Sequence, residues 1–518
     1  MSRKVTDNVV ETGASDTSAP RHVTTIIVGS GFAGLGMAIR LRQQGRDDFL
    51  VLERGSEVGG TWRDNTYPGA ACDVPSHLYS YSFALNPDWT RSFSKQGEIQ
   101  NYIRSVAQRH DVLDNHVFDC DVTSIRWNNE TTQWEIGSSK GAFTADTVVS
   151  AIGALCEPSL PDIKGINDFE GEIFHSARWN HDADLDGKRV AVIGTGASSI
   201  QIVPAIANKV ASLDVYQRTA PWLLPRMDRP YLLPERLAFK HIPGFQRLSR
   251  AAIYAARETQ VLGLTRLPVL MKGFEALSRA KLAIEIRDAE LRRKVTPNYR
   301  IGCKRMLISN EYYPALDRDN VDVVTDPIAE VKAGSIVTKD GTEREIDALI
   351  VATGFHVTDS PVYETVYGRD GRSLAEVFDE IGQQAYKGSA VANFPNLFFL
   401  VGPNVGLGHT SMVYMIESQI NYVADALATI AEQDLHTVEV RPEVQRDYNR
   451  DLQDKLAKTV WNTGGCASWY LDKHGNNTTL WPDFTFRFRS LTRQFDVDAY
   501  NVTTSAAARA DDQKVVAP

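Results

Sequence analysis

The sequence predicts an α/β protein made of two nested dinucleotide-binding, Rossmann-like units, with a helical insertion in the second. Three observations carry this expectation. First, an apolar run from Val23 to Val28 leads into Gly29-Ser30-Gly31-Phe32-Ala33-Gly34, and another from Arg189 to Ile193 leads into Gly194-Thr195-Gly196-Ala197-Ser198-Ser199. Second, each motif is followed, 24 residues after its first glycine, by a charged residue that closes a further apolar run: Glu53 in one case, Arg218 in the other. Third, Asp146 to Gly153 is echoed by Asp347 to Gly354, each an acid, an apolar strand and a turn of small residues.

The motif residues divide the work of holding a nucleotide. The first glycine makes a tight turn, the second lets backbone approach a pyrophosphate, and the third allows close helix–strand packing. The phosphates then rest on the helix N-terminus. Expected cofactor contacts are therefore Gly29, Gly31, Phe32, Ala33 and Gly34 in the first unit. In the second they are Gly194, Thr195, Gly196, Ala197, Ser198, Ser199 and Ile200, with Ser199 in place of the third glycine. Glu53 is an acid placed to accept hydrogen bonds from ribose hydroxyls, whereas Arg218, flanked by Gln217 and Thr219, suits a 2′-phosphate. A chain that binds one FAD-like and one NADP-like nucleotide is most simply a flavoprotein that takes hydride from NADPH.

Along the chain, residues 1–22 are polar and lack an apolar signal core, so a disordered lead-in rather than a secretory signal is expected. An FAD-binding unit follows over 23–157. An NADP-binding unit is inserted over 158–388, and the FAD unit resumes over 389–502. The return passes through Phe394 to Pro403, which reads as a buried strand delivering a turn to the flavin. Residues 503–518 read as a flexible tail. Inside the inserted unit, 231–295 has helical periodicity, as in Leu237, Phe239, Phe245, Leu248, Ile253 and Tyr254. It carries 13 Lys and Arg against 6 Asp and Glu. Such a stretch fits a membrane surface or an acidic partner, or a helical insertion with a solvated basic face that draws in anionic NADPH. Breaks expected at Gly244, Gly263 and Pro268 favour the insertion.

Composition narrows the function classes. At 43% hydrophobic and 23% charged residues the chain is an ordinary globular protein. A formal charge of −9 argues against nucleic acid as the main partner. No apolar run reaches membrane-spanning length. The five cysteines (Cys72, Cys120, Cys156, Cys303 and Cys466) are scattered and odd in number, which fits a reducing cytoplasm and no disulfide framework. The absence of a closely spaced cysteine pair also removes the pyridine-nucleotide disulfide reductases, and no His/Cys spacing suggests a metal site.

Two further segments carry the chemistry. One is Gly59-Gly60-Thr61-Trp62-Arg63-Asp64-Asn65-Thr66-Tyr67-Pro68-Gly69-Ala70-Ala71-Cys72-Asp73. The other runs from Phe169 through Gly171, His175 and Trp179 to Asn180. Together they resemble the two signature segments of the Baeyer–Villiger monooxygenases, in order and spacing, over about residues 23 to 485. That family usually has Pro or Asp where this chain has Asn180. Trp179 resembles this family rather than the flavin monooxygenases that hydroxylate N or S.

The resemblance implies an NADPH- and O2-dependent conversion of ketones to esters or lactones through a C4a-peroxyflavin. It implies that Arg305 is the catalytic arginine and Asp73 the acid that positions it. It further implies FAD contacts at Thr61, Trp62, Arg63, Asp64, Tyr79 and Val122, a lysine near the NADP 2′-phosphate at Lys304, and a mobile-loop tryptophan at Trp469. Trp469 fits a packing anchor equally well. His175 sits between the two units, where a hinge or hydrogen-bonding role is expected. His409 reads as an ordinary hydrogen-bonded loop histidine. Two other functions stay open on the residues: an N- or S-oxygenating flavin monooxygenase, and a non-catalytic flavin or NADP sensor. The expected partners are a small ketone and O2, with no nucleic acid and no integral membrane segment, in a monomer or homodimer. The ketone itself is not specified.

Overall fold

The computed structural model describes residues 19–504. Two sheets organise them. In the first, of eight strands, Arg21–Val28 lies between Phe49–Leu52 and Gly141–Ser150, all parallel. Val28 pairs with Leu52 on one side and Ser150 on the other. In the second, of five parallel strands, Arg189–Ile193 lies between Ser212–Tyr216 and Ala348–Val351. Ile193 pairs with Tyr216 and Val351 in the same way. The sequence echo is thus a structural one. In both sheets the motif strand is central, and the echoed segment closes its free side. Both faces of the second sheet are covered, which is why its strands are continuous apolar runs. Val190, Ala191, Val192 and the whole of Ala348–Val351 are buried.

The long strand Gly141–Ser150 changes partner along its length. Its first half pairs antiparallel with Gln133–Ser138, and its end pairs parallel with the returning strand Leu397–Phe399. Beyond the carboxyl ends of these strands a cleft opens, lined by Ser150, Gly153, Val401, Pro403 and Thr479. Ligands of open α/β sheets bind at such a position. The main core packs the helix Phe32–Gln43 against Gln96–Arg109 and Met412–Glu432.

Several expectations change. Residues 21 and 22, expected in the lead-in, and 503 and 504, expected in the tail, lie in strands instead; residues 1–18 and 505–518 lie outside the described residues. Gly263 does not break a helix. It lies inside Gln260–Thr265, where Met271 Sδ would be 2.8 Å from an added Cβ, so its smallness serves packing. Cys303 and Cys466 form a disulfide, contrary to the expected absence of one. Their separation of 163 residues leaves no spacing signal to read. Cys72, Cys120 and Cys156 are free. Among the described residues no helix is long and apolar enough to cross a membrane, and no His, Cys, Asp and Glu cluster could hold a metal.

Candidate active site

The two glycine motifs are shaped by steric need. Gly29 has φ +97°, and a Cβ there would lie 2.9 Å from the Ala151 carbonyl oxygen. A Cβ on Gly34 would lie 1.8 Å from the Gly29 carbonyl oxygen, so strand and helix meet as closely as backbone allows. A Cβ on Gly31 would meet only Gly60, at 3.7 Å, which leaves open backbone at the helix start. The first backbone hydrogen bond of that helix is Leu35 N–H to Gly31 C=O. The amides of Phe32, Ala33 and Gly34 precede it and have no partner within the helix, a setting in which an anion can bind. In the second unit Gly194 repeats this geometry, with φ +114° and Ala352 O 2.3 Å from an added Cβ, while Gly196 is unobstructed.

Around the first motif, Glu53 is buried and well held. Its carboxylate accepts from Ser30 N–H, Gly55 N–H and Arg63 Nη1, each at 2.7 Å. Arg63 in turn donates to both oxygens of Asp64, at 2.7 and 3.1 Å. Thr61 to Asp64 form one short helix, and Trp62 Nε1 donates to the Tyr79 hydroxyl at 3.0 Å. Val122 stands apart from this group. It starts the strand Val122–Asn128 and packs on the core that holds Val23 and Leu52.

Around the second motif, Thr195 Oγ1 donates to Thr219 C=O at 2.9 Å, and Gln217 Nε2 donates to Lys294 C=O at 2.8 Å. Ser199 is fully buried, with a hydroxyl unpartnered among the described residues, so a small side chain here does keep the packing close. Ala197 is exposed, Ser198 precedes the helix, and Ile200 is buried beneath it. Arg218 is exposed, while Lys304 is half-buried against the Tyr299 ring. Burial, and then the nearby Arg218 guanidinium, hold the Lys304 ammonium below the ordinary lysine range. Two cations brought together in this way suit a dianionic phosphate between them.

Arg305 and Asp73 are joined across 232 residues of sequence by two parallel bonds, Nε to Oδ2 and Nη2 to Oδ1, both 2.8 Å. Burial would raise the Asp73 carboxyl, but the Arg305 guanidinium outweighs it and holds the group below the usual carboxylate range. Arg305 is raised correspondingly. Because Nε and Nη2 serve Asp73, Nη1 keeps its protons for another acceptor.

Three positions that sequence reasoning passed over support this pair. Gln201, on the helix Ser199–Ile206, donates Nε2 to Ala71 C=O at 2.9 Å and accepts from Ala71 N–H at 3.3 Å and the Tyr67 hydroxyl at 3.1 Å. It therefore ties the loop bearing Asp73 to the second nucleotide unit. Arg226 Nη2 donates to Cys72 C=O at 3.1 Å. Tyr470 is buried, and burial raises its hydroxyl to about 12, with Arg305 close enough to oppose the shift. Its neighbour Trp469 is 48% exposed and meets the Tyr470 ring edge-on at 4.5 Å. The Cys303–Cys466 bond fastens this loop to the segment bearing Lys304 and Arg305. Tandem aromatics beside a cysteine were the only available signal.

The two histidines differ from each other. His175 Nδ1 accepts from Ala177 N–H at 3.1 Å, and its ring meets Phe355 in the turn after Ala348–Val351. His409 is not the hydrogen-bonded loop residue expected. Its side chain is fully buried and neither ring nitrogen has a hydrogen-bond partner among the described residues; Glu258 Oε1 lies 3.4 Å from Nε2. Trp179 packs edge-on against Phe174, and Asn180 donates to Glu172.

The chain is similar to known proteins over most of its length. Residues 26–234 match the family described as pyridine nucleotide-disulphide oxidoreductase. All three cysteines in that span, Cys72, Cys120 and Cys156, are free, so the likeness lies in nucleotide binding. A Baeyer–Villiger monooxygenase of Pseudomonas aeruginosa is 51% identical over 493 residues, covering 95% of this chain and 93% of that one. Cyclohexanone monooxygenase from Rhodococcus sp. Phi1 bound to NADP+ superposes with a TM-score of 0.84 at 27% identity, covering 94% of this chain and 100% of that one. OTEMO in complex with FAD and NADP superposes with a TM-score of 0.83 at 25% identity, covering 94% and 100%.

Proposed function

The chain belongs to the Baeyer–Villiger monooxygenases, and on that premise we propose that Arg305, fixed by Asp73, is the group that governs oxygen insertion into a ketone. Its cofactors are FAD and NADPH. Overall, ketone, O2, NADPH and a proton give ester or lactone, water and NADP+. The flavin, when bound and reduced, supplies the activated oxygen.

The residues divide the remaining tasks. The amides of Phe32 to Gly34, with open backbone at Gly31, hold the FAD pyrophosphate, and Glu53 faces the ribose. Arg63, bridging Glu53 and Asp64, keeps that wall rigid. Arg218 and Lys304 take the NADP 2′-phosphate. Arg305 offers Nη1 to an anionic oxygen; arginine stays protonated at any working pH, so it stabilises that charge without quenching it by proton transfer. Asp73 accepts two of its bonds and so fixes the direction of the third.

One observation carries this reading: the bidentate Arg305–Asp73 pair has a free Nη1 and lies one residue from Lys304. A panel of cyclic, aliphatic and aryl ketones incubated with enzyme, NADPH and oxygen tests it. Products one oxygen atom heavier than the ketone support the reading. Oxidation of sulfides or amines with no ester from any ketone would overturn it. We further propose a cytoplasmic monomer or homodimer, since NADPH is supplied there.

A further inference from the structure

Within the helical segment 231–295, Phe239, Val261 and Leu264 are buried and Ile253 and Tyr254 pack on the main core, but two of its helices also bury polar side chains and expose apolar ones. In the helix Phe245–Glu258 the only buried residues are Gln246 and Glu258. Arg250 also turns inward, donating Nη1 to the carbonyls of His77 and Ser80 at 2.8 and 2.9 Å. The outward side is apolar: Leu248 is 68% exposed, and Ala251, Ala252, Ala255 and Ala256 continue its stripe at helical spacing. The helix Met271–Glu285 shows the same feature in part. Ser278 and Lys281 are buried beside Met271 and Leu282, while Leu277 and Ile284 are exposed at 48% and 78%. Of 21 large hydrophobic residues exposed among the described residues, 11 lie in this one segment. An ordinary surface helix puts its charges outward, so this distribution marks a surface that another apolar body covers.

Charge says which body. The segment carries 13 basic and 6 acidic residues in a chain whose net charge is −9. Arg247 and Lys272, on the outward sides of the two helices, make no ion pair among the described residues. A two-fold contact centred on Arg247 or Lys272 would bring the same unpaired cations together. An anionic bilayer neutralises them and takes up the apolar stripe at once. We propose that the outward face of these helices is a peripheral docking surface for an anionic lipid bilayer. The side chains of Leu248, Leu277 and Ile284 enter the interface, with Arg247 and Lys272 at the headgroups. This assignment is independent of the reaction proposed above.

The test is vesicle flotation of the full-length, FAD-loaded protein. Vesicles of phosphatidylcholine with about one third phosphatidylglycerol are compared with phosphatidylcholine alone. The expected result is flotation with the anionic vesicles only, reduced at least about tenfold by Leu248→Glu with Leu277→Glu, and reduced similarly by high salt. Should the apolar double variant fail to fold by flavin content and circular dichroism, Arg247→Glu with Lys272→Glu decides, with the same reduction expected. No flotation on anionic vesicles overturns the proposal, as does equal flotation of wild type and folded variants. A dimer that the variants dissociate, in protein that ignores vesicles, overturns it in favour of a second copy.

Discussion

Gln201 clasps Ala71 in both directions, donating Nε2 to its carbonyl at 2.9 Å and accepting its N–H at 3.3 Å. Ala71 lies two residues before Asp73, and Gln201 lies on the helix that opens the second nucleotide motif. The side chain that orients Arg305 is thereby referenced to the second glycine-motif unit. Neither motif alone would place it.

Gln201→Leu should therefore uncouple the enzyme. NADPH is still consumed, but ester formed per NADPH falls several-fold and hydrogen peroxide rises, at a stability cost of about 1–3 kcal/mol for the lost hydrogen bonds. Paired assays of peroxide and ester measure this. Unchanged coupling in a folded variant would show that the clasp only supports the fold.

Arg305→Ala should retain FAD and NADPH oxidation while abolishing ester formation, because nothing then balances the anionic oxygen. Asp73→Ala should impair ester formation strongly, by freeing Arg305 to turn. The Asp73 carboxyl lies below its ordinary range, so the clamp is fully formed above about pH 4 and is lost only as pH falls through the lowered value. The ester-to-NADPH ratio should accordingly show no inflection from Asp73 between about pH 5 and 9. Near-native ester yield from Arg305→Ala would overturn the assignment.

Arg218→Ala should remove a charge-assisted contact worth roughly 1.5–3 kcal/mol and raise KM for NADPH by about tenfold or more. KM for NADH, which has no 2′-phosphate, should hardly move. Steady-state kinetics with both nucleotides separates the outcomes, and an equal change for the two would refute the phosphate contact.

Stability should fall on mild acidification. His77 and His175 are each lowered to about 4, His77 by burial and the Arg250 guanidinium, His175 mainly by burial. Between about pH 6.5 and 4 the unfolded chain binds protons that the folded one refuses, so stability rises with pH through that window. The full shift corresponds to about 3 kcal/mol for each group, as an upper bound. Thermal melts at pH 7 and about pH 4.5 should show the loss, and His175→Asn should lessen it. An identical slope in that variant would remove His175 from the account.

Much of the fold was legible because it repeats. Glu53 and Arg218 stand at equal distances from their glycines, and the echo of Asp146–Gly153 in Asp347–Gly354 located the strands that flank both motifs. The Arg305–Asp73 pair was not legible from spacing, since 232 residues separate its members; only resemblance to known signatures joined them. Gln201, Arg226 and the Cys303–Cys466 bond were invisible for the same reason: each makes its contact across the fold. The helix Phe245–Glu258 failed differently. Periodicity shows that one side is apolar, but the direction of that side depends on what Arg250 and Glu258 find inside.

The partner change along Gly141–Ser150 has a consequence for biosynthesis. Its end pairs with Leu397–Phe399, so the first sheet cannot be completed until the second has left the ribosome in full. At about 5–20 residues per second that interval is on the order of tens of seconds. Throughout it, Val148 to Ser150 present an open parallel edge in a nascent chain. The five-stranded sheet, with every strand between Glu172 and Val351, meets no such delay. The later-encoded unit should thus become protease-resistant first on arrested ribosomes. The earlier one should remain cleavable until the returning strand emerges, and slower translation should lengthen its exposure.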